Sequence, residues 1–70
     1  MPRVGMRALV SHFSGEREEA VVVAVLEDGR RLEVRCASGA LMEFALSPAT
    51  ARFVAGAGNH GTRLELLRED

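Results

Sequence analysis

The side chains best suited to hold a metal ion or act as a nucleophile are few in this sequence: Cys36, His12 and His60. Zinc sites usually combine three or four such ligands, and some of those ligands are closely spaced along the chain. Here the three residues lie far apart, with no pair of the H-x-x-x-H kind. We therefore expect no metal and no cofactor. Cys36 falls on the apolar side of a predicted strand, which favours a small buried hydrophobe.

A glycine-rich stretch from Gly56 to Gly61 has the G-x-G-x-x-G spacing of dinucleotide-binding loops. Such a loop works where a strand leads into it and the N-terminus of a helix receives the pyrophosphate. The 70 residues leave no room after Gly61 for that helix, for the ribose-binding acid or for a doubly wound sheet. We expect an ordinary hairpin loop, with His60 in contact with water or the loop backbone.

Serines and carboxylates form no recognisable catalytic set in this sequence. The serines all fall in predicted turns or strands, outside any G-x-S-x-G elbow: Ser11, Ser14, Ser38 and Ser47. The acidic pairs Glu18-Glu19 and Glu27-Asp28 fall in predicted exposed loops, where burial cannot tune a carboxyl group for acid catalysis. We expect a protein that is not an enzyme.

The basic residues are all arginines, nine of them against ten acidic residues, so the formal net charge is -1. That balance gives no overall attraction to nucleic acid or anionic lipid. Arg31 and Arg35 share the outward face of one predicted strand, but Glu33 stands between them, which favours a salt-bridged solvent face. The alternative is a nucleic-acid-binding surface of arginines. Its candidate residues are Arg30, Arg31, Arg35, Arg52 and Arg63.

The elements that position these residues are predicted to be strands throughout. Apolar and polar residues alternate over segments 6–13, 31–36 and 42–46, and segments 20–26, 52–55 and 62–67 are short and apolar or alternating. Ser14-Gly15, Asp28-Gly29 and Ser38-Gly39 indicate turns. Ser47-Pro48 predicts one short helical turn through Thr50. The final segment also has the capping-box spacing of Thr62 and Glu65, so a short helix there stays open.

The valine-rich segment from Ala20 to Leu26 is apolar on both of its predicted faces. Alternate side chains of a barrel strand point away from the core. We therefore expect Val21, Val23 and Val25 to form an outward docking face for a partner, with Arg31 and Arg35 as flanking polar contacts. The alternative is a strand buried on both sides by its own chain, covered by the C-terminal leucines.

The order of strands and turns resembles that of SH3-like barrels of the Tudor and KOW kind. The resemblance rests on Gly5-Met6-Arg7-Ala8, Ser14-Gly15-Glu16, Ala20-Val21-Val22, Asp28-Gly29-Arg30, Leu32-Glu33-Val34 and Phe44-Ala45-Leu46. It implies an all-β fold: a small SH3-like barrel of five or six short antiparallel strands with one short helical turn, in a single domain over residues 1–70. Methyl-reading Tudor domains need an aromatic cage. This chain has only Phe13, Phe44 and Phe53, so we expect no such activity.

These observations predict a small non-catalytic binding or assembly module that acts through protein-protein contacts and forms a homo-oligomer. The first alternative is a nucleic-acid-binding barrel using the arginine face, and the second is an accessory subunit of a larger enzyme. No apolar run approaches the roughly 18 residues of a membrane span. The N-terminus lacks the apolar stretch of a signal peptide. We expect a cytoplasmic protein with no membrane partner.

Overall fold

A computed structural model describes residues 2–55 and 61–67 of the chain. The predicted glycine-rich loop, with His60, falls almost entirely on residues 56–60, outside the described part. The described strands form one closed antiparallel barrel in chain order. They are β1 (Arg7–Ser11), β2 (Arg17–Leu26), β3 (Arg31–Cys36), β4 (Leu41–Ser47), β5 (Arg52–Ala55) and β6 (Arg63–Leu66).

The barrel closes where the last strand pairs with the first. Leu64 of β6 lies opposite Val10 of β1 and also opposite Phe53 of β5. Because Leu64 is buried between these two neighbours, the final segment is a strand and the capping-box helix does not form. The prediction of an all-β small barrel is confirmed.

Alternation along the strands builds the core, as the sequence predicts for β1, β3 and β4. Leu32, Val34 and Phe44 are fully buried, and Cys36 is 3% exposed, which confirms its prediction as a small buried hydrophobe. Side chains at alternate positions point outward because successive residues of a strand face opposite sides. The buried apolar residues are Ala8, Val10, Ala20, Val22, Leu32, Val34, Cys36, Phe44 and Leu64.

A 3-10 turn lies between β2 and β3, at Glu27–Gly29, in the predicted Asp28-Gly29 hairpin. Glu27 and Asp28 have positive φ angles of 51° and 58°, which give the tight reversal that the Asp28-Gly29 pair predicts. After β4 the chain makes a hydrogen-bonded turn, with the Ala51 N–H donating to the Ser47 carbonyl at 2.8 Å. This bond closes the one helical turn predicted from Ser47-Pro48, and the turn ends at Ala51, whose positive φ of 58° is outside the right-handed helical region.

A β-bulge at Val23 divides β2 into two halves. The alternation of inward-facing and outward-facing residues is shifted by one position between them. Val22 lies opposite Val34, but the next pair along is Ala24 with Glu33, so Val23 is an extra residue. Beyond the bulge Val25 packs against the core, and Ala24 faces outward. The prediction that Val21, Val23 and Val25 share one outward face is therefore wrong at Val25, because the inserted residue shifts the alternation by one.

Candidate functional site

Apolar side chains on the outer faces of β2, β3 and β4 form the first candidate site. Val21 lies opposite Arg35, and Arg35 lies opposite Leu41, so the three side chains form one row across the barrel wall. Val21 is 43% exposed and Leu41 is 55% exposed. Antiparallel neighbours in such a row have Cβ atoms about 5 Å apart, so their exposed surfaces are continuous. With Val23 at the bulge, this set is called the β2–β3 patch: Val21, Val23, Arg35 and Leu41.

A shallow depression of about 520 Å³ lies beside this row. Most of the residues that line it are apolar, among them Val21, Val23 and Ala37. Two other lining residues form an ion pair, with Arg7 Nη2 2.7 Å from Glu19 Oε1. The depression therefore offers an apolar surface beside a charged edge, which is the usual arrangement of a protein-contact patch.

The two arginines predicted to flank this face differ in their partners. Arg31 Nη1 lies 2.9 Å from Glu43 Oε1, and its Nε lies 2.6 Å from Glu27 Oε2. The second contact is purely ionic, because that Nε has no hydrogen-bond partner. Arg35 and Glu33 make no ion pair with any residue in ranges 2–55 and 61–67. Arg31 is thus neutralised within the chain, and Arg35 keeps its charge available.

The arginines predicted to bind nucleic acid do not form one surface. Arg31 is ion-paired, Arg30 follows the turn after β2, and Arg35 belongs to the β2–β3 patch. Arg52 and Arg63 lie together instead, lining a depression of about 490 Å³ that also contains Ser11. The predicted set therefore divides between different sides of the barrel.

The closure of the barrel adds Arg17 to this second group, a residue that the sequence analysis missed. Ser11 lies opposite Arg17 on β2 and opposite Arg63 on β6. Within the described part of the chain none of the three arginines makes an ion pair. No local pattern could have indicated this grouping, because it depends on the pairing of the first and last strands. The arginine cluster is Arg17, Arg52 and Arg63.

An exposed aromatic ring lies next to the arginine cluster. Phe13, in the turn between β1 and β2, is 84% exposed. It lines a depression of about 620 Å³ with Arg17, Arg63 and Gly61. A Cβ atom at Gly61 would lie 2.7 Å from Phe13 Cδ2, so only glycine lets the ring lie across the backbone there. Gly61 also has a φ of 83°, which glycine adopts without strain.

His12, Glu18 and Cys36 meet at one end of the barrel, although they lie far apart in sequence. Glu18 Oε2 is 2.8 Å from His12 Nε2, and the Ser38 N–H donates to Glu18 Oε1 at 3.4 Å. The hydrogen bond with His12 is the main reason that the pKa of Glu18 is lowered. Burial, with the nearby Glu18 carboxylate, raises the pKa of the Cys36 thiol. The thiolate is therefore disfavoured, and the arrangement does not activate a nucleophile.

Neither a metal-binding cluster nor a membrane-spanning helix is found in the described part of the chain. Across ranges 2–55 and 61–67, no group of three or more His, Cys, Asp or Glu side chains is arranged to hold a metal ion. Within the same ranges no helix has the length and apolar character needed to cross a bilayer. The candidate surfaces formed by the described residues are the β2–β3 patch and the arginine cluster.

Comparisons with protein-family models, with curated proteins and with solved structures find no match to this chain.

Proposed function

We propose that this protein is a non-catalytic binding module that associates with a second copy of itself through the β2–β3 patch. The observation that carries the proposal is the row in which Arg35, without an acidic partner in the described residues, lies between the exposed side chains of Val21 and Leu41. An apolar surface with an unpaired arginine is what a partner of matching shape and charge would cover. The resemblance to Tudor and KOW barrels supports a role in binding.

Charge complementarity favours a second copy as the partner. Glu33 and Arg35 both lie on the outer face of β3, separated by the inward-facing Val34. In a twofold dimer every contact occurs twice, so Arg35 of each copy can meet Glu33 of the other. The pairing would also relieve the repulsion between Glu33 and Glu43, which lie opposite each other on neighbouring strands.

The apolar area available predicts a weak dimer. Val21, Val23 and Leu41 are each partly covered already, so burying the remainder contributes roughly 1 kcal/mol per side chain, or about 6 kcal/mol for both copies. Association costs about 4 kcal/mol or more in lost translational and rotational freedom. With up to about 1 kcal/mol from each of the two ion pairs, the net gain is about 4 kcal/mol, so we expect a dissociation constant on the order of 1 mM.

Sedimentation velocity over about 20 µM to 1 mM protein tests the proposal. The wild type should shift from monomer toward dimer across this range, and Val21→Glu should stay monomeric because it buries a charge in the contact. Leu26→Glu is the matched control, since Leu26 is 42% exposed on the same strand but lies outside the patch. It should behave as the wild type. A wild-type chain that is monomeric at the highest concentration overturns the proposal.

A charge-exchange experiment distinguishes the proposed contacts between Arg35 and Glu33 from non-specific association. Arg35→Glu alone should abolish the concentration-dependent shift, because each new carboxylate then meets Glu33 of the other copy. Adding Glu33→Arg restores opposite charges in both contacts of a twofold pair, so the double variant should associate about as strongly as the wild type. Continued monomeric behaviour of the double variant contradicts the proposed geometry.

A further inference from the structure

We infer that the arginine cluster and Phe13 together form a binding site for single-stranded nucleic acid, separate from the β2–β3 patch. The first observation is the spacing of the cations. Ser11 lies between Arg17 and Arg63 on adjacent strands, so the Cα atoms of the two arginines are roughly 10 Å apart across a small side chain. Both arginines line one open depression.

The second observation is that these cations are not neutralised by neighbours. Arg7 and Arg31 have carboxylate partners within 3 Å. The arginine cluster has none in ranges 2–55 and 61–67, although Glu65 lines the same depression as Arg52 and Arg63. Free guanidinium groups are suited to phosphate oxygens, which match their fork of donors. The site thus carries positive charge in a protein whose formal net charge is -1.

The third observation is the aromatic ring of Phe13, which lines the same depression. Phe13 is 84% exposed, and its ring rests on the backbone of Gly61. This contact covers only a small part of the ring, so most of its surface stays open to solvent. A flat exposed ring beside cations is the arrangement on which a nucleic-acid base stacks while its phosphates contact arginine.

The arginine cluster and Phe13 together favour single-stranded nucleic acid over a duplex and over an acidic peptide. Bases in a duplex are already stacked on one another, so they leave Phe13 without a partner. An acidic peptide would satisfy the arginine cluster but gain nothing from the ring. Recognition should be independent of sequence, because every base has a face that can stack and phosphate contacts carry no sequence information.

Fluorescence anisotropy with a labelled oligo(dT) of about 12 nucleotides tests this inference at about 50 and 200 mM salt. With three phosphate contacts to a single strand, the slope of log affinity against log salt should be about -2, which is roughly a 15-fold loss over this range. Oligo(dT) should bind more tightly than a duplex of the same length and more tightly than a labelled oligo-glutamate peptide. Equal or tighter binding of either competitor overturns the inference.

Two matched arginine variants test whether oligo(dT) binds at the arginine cluster. Arg63→Gln should weaken oligo(dT) binding about fivefold at low salt and make the salt slope shallower by about 0.7. Arg30→Gln removes another exposed arginine without an ion pair in the described residues, and it should change affinity less than about twofold. Equal effects of the two substitutions contradict the site.

Substitutions of Phe13 test whether its ring stacks on a base. Phe13→Ala should weaken binding about tenfold and leave the salt slope unchanged, because stacking releases no counterions. Phe13→Trp should retain wild-type affinity or exceed it. An unchanged affinity in Phe13→Ala, with circular dichroism showing a folded barrel, excludes the stacking role. None of these measurements depends on the β2–β3 patch, so this inference and the proposed self-association fail or succeed separately.

Discussion

The Glu18 carboxylate contacts two neighbouring turns. It receives a contact from the His12 ring, next to the end of β1, and a hydrogen bond from the backbone N–H of Ser38 in the turn after β3. Both contacts favour the ionised carboxylate, which explains the lowered pKa of Glu18. The side chain therefore links two loops at one end of the barrel, and this link depends on its charge.

This arrangement predicts a pH-dependent contribution of Glu18 to stability. Its folded-state pKa lies below the ordinary value of 4.5, so the stabilisation is present above about pH 4.5 and is lost as the pH falls through the folded-state pKa. Urea unfolding should therefore show the wild type to be more stable than Glu18→Gln at neutral pH. The difference should shrink toward about pH 3.

Glu16→Gln is the control for this experiment, because the Glu16 side chain is exposed and makes no side-chain contact within the described residues. Its effect on the free energy of unfolding should stay small at every pH. A Glu18→Gln difference that remains constant from neutral to acid pH would show that the carboxylate charge is not what joins the loops.

Among the elements, β2 is the one whose faces the sequence does not reveal. In β3 and β4 polar residues mark the outer side, so alternation alone predicts that Leu32, Val34 and Phe44 are buried, as they are. In β2 both sides are valine and alanine, so no polar residue marks the change of phase at Val23. The bulge bends the strand where the barrel wall curves. Its position depends on pairing with β3, which a single strand's pattern does not encode.

The bulge predicts that two valines of the same strand tolerate a charge very differently. Val25→Glu should lower the free energy of unfolding by about 2 kcal/mol or more, because Val25 packs against the core and lies opposite the buried Leu32. Val21→Glu should change it by less than about 1 kcal/mol, because Val21 faces outward. Urea unfolding at low protein concentration, where self-association is negligible, measures both. Comparable losses would mean that the alternation runs through Val23 without interruption.

At the scale of the whole molecule, the small core makes each large buried side chain important. A domain of 70 residues is expected to be stable by about 4–10 kcal/mol. Phe44 is the largest of the fully buried side chains. Phe44→Ala should therefore remove about 3–5 kcal/mol, a large part of the total, and lower the melting temperature by many degrees.

Phe13→Ala makes the same chemical change at a position that is 84% exposed, which supplies the control. It should alter the free energy of unfolding by less than about 1 kcal/mol. Thermal unfolding followed by circular dichroism distinguishes the two variants. Similar melting temperatures for both would contradict the assignment of Phe44 to the centre of the core.

The whole molecule also explains why one candidate surface could be partly predicted and the other could not. The β2–β3 patch follows from local pattern, since Val21 and Arg35 belong to strands joined by a short turn. The arginine cluster joins residues of β2, β5 and β6 and appears only when the barrel closes. Segments distant in the sequence carry no signal of their proximity, so Arg17 could not be assigned to it beforehand.

Closure of the barrel has one more consequence. In the described part of the chain each of the six strands pairs with a neighbour on both sides over at least part of its length, so most of what the barrel presents to a partner is side chains and not strand edges. Those outward side chains alternate with the ones that fill the interior. Substitutions on the outer surface can therefore change the exposed side chains while the interior is preserved.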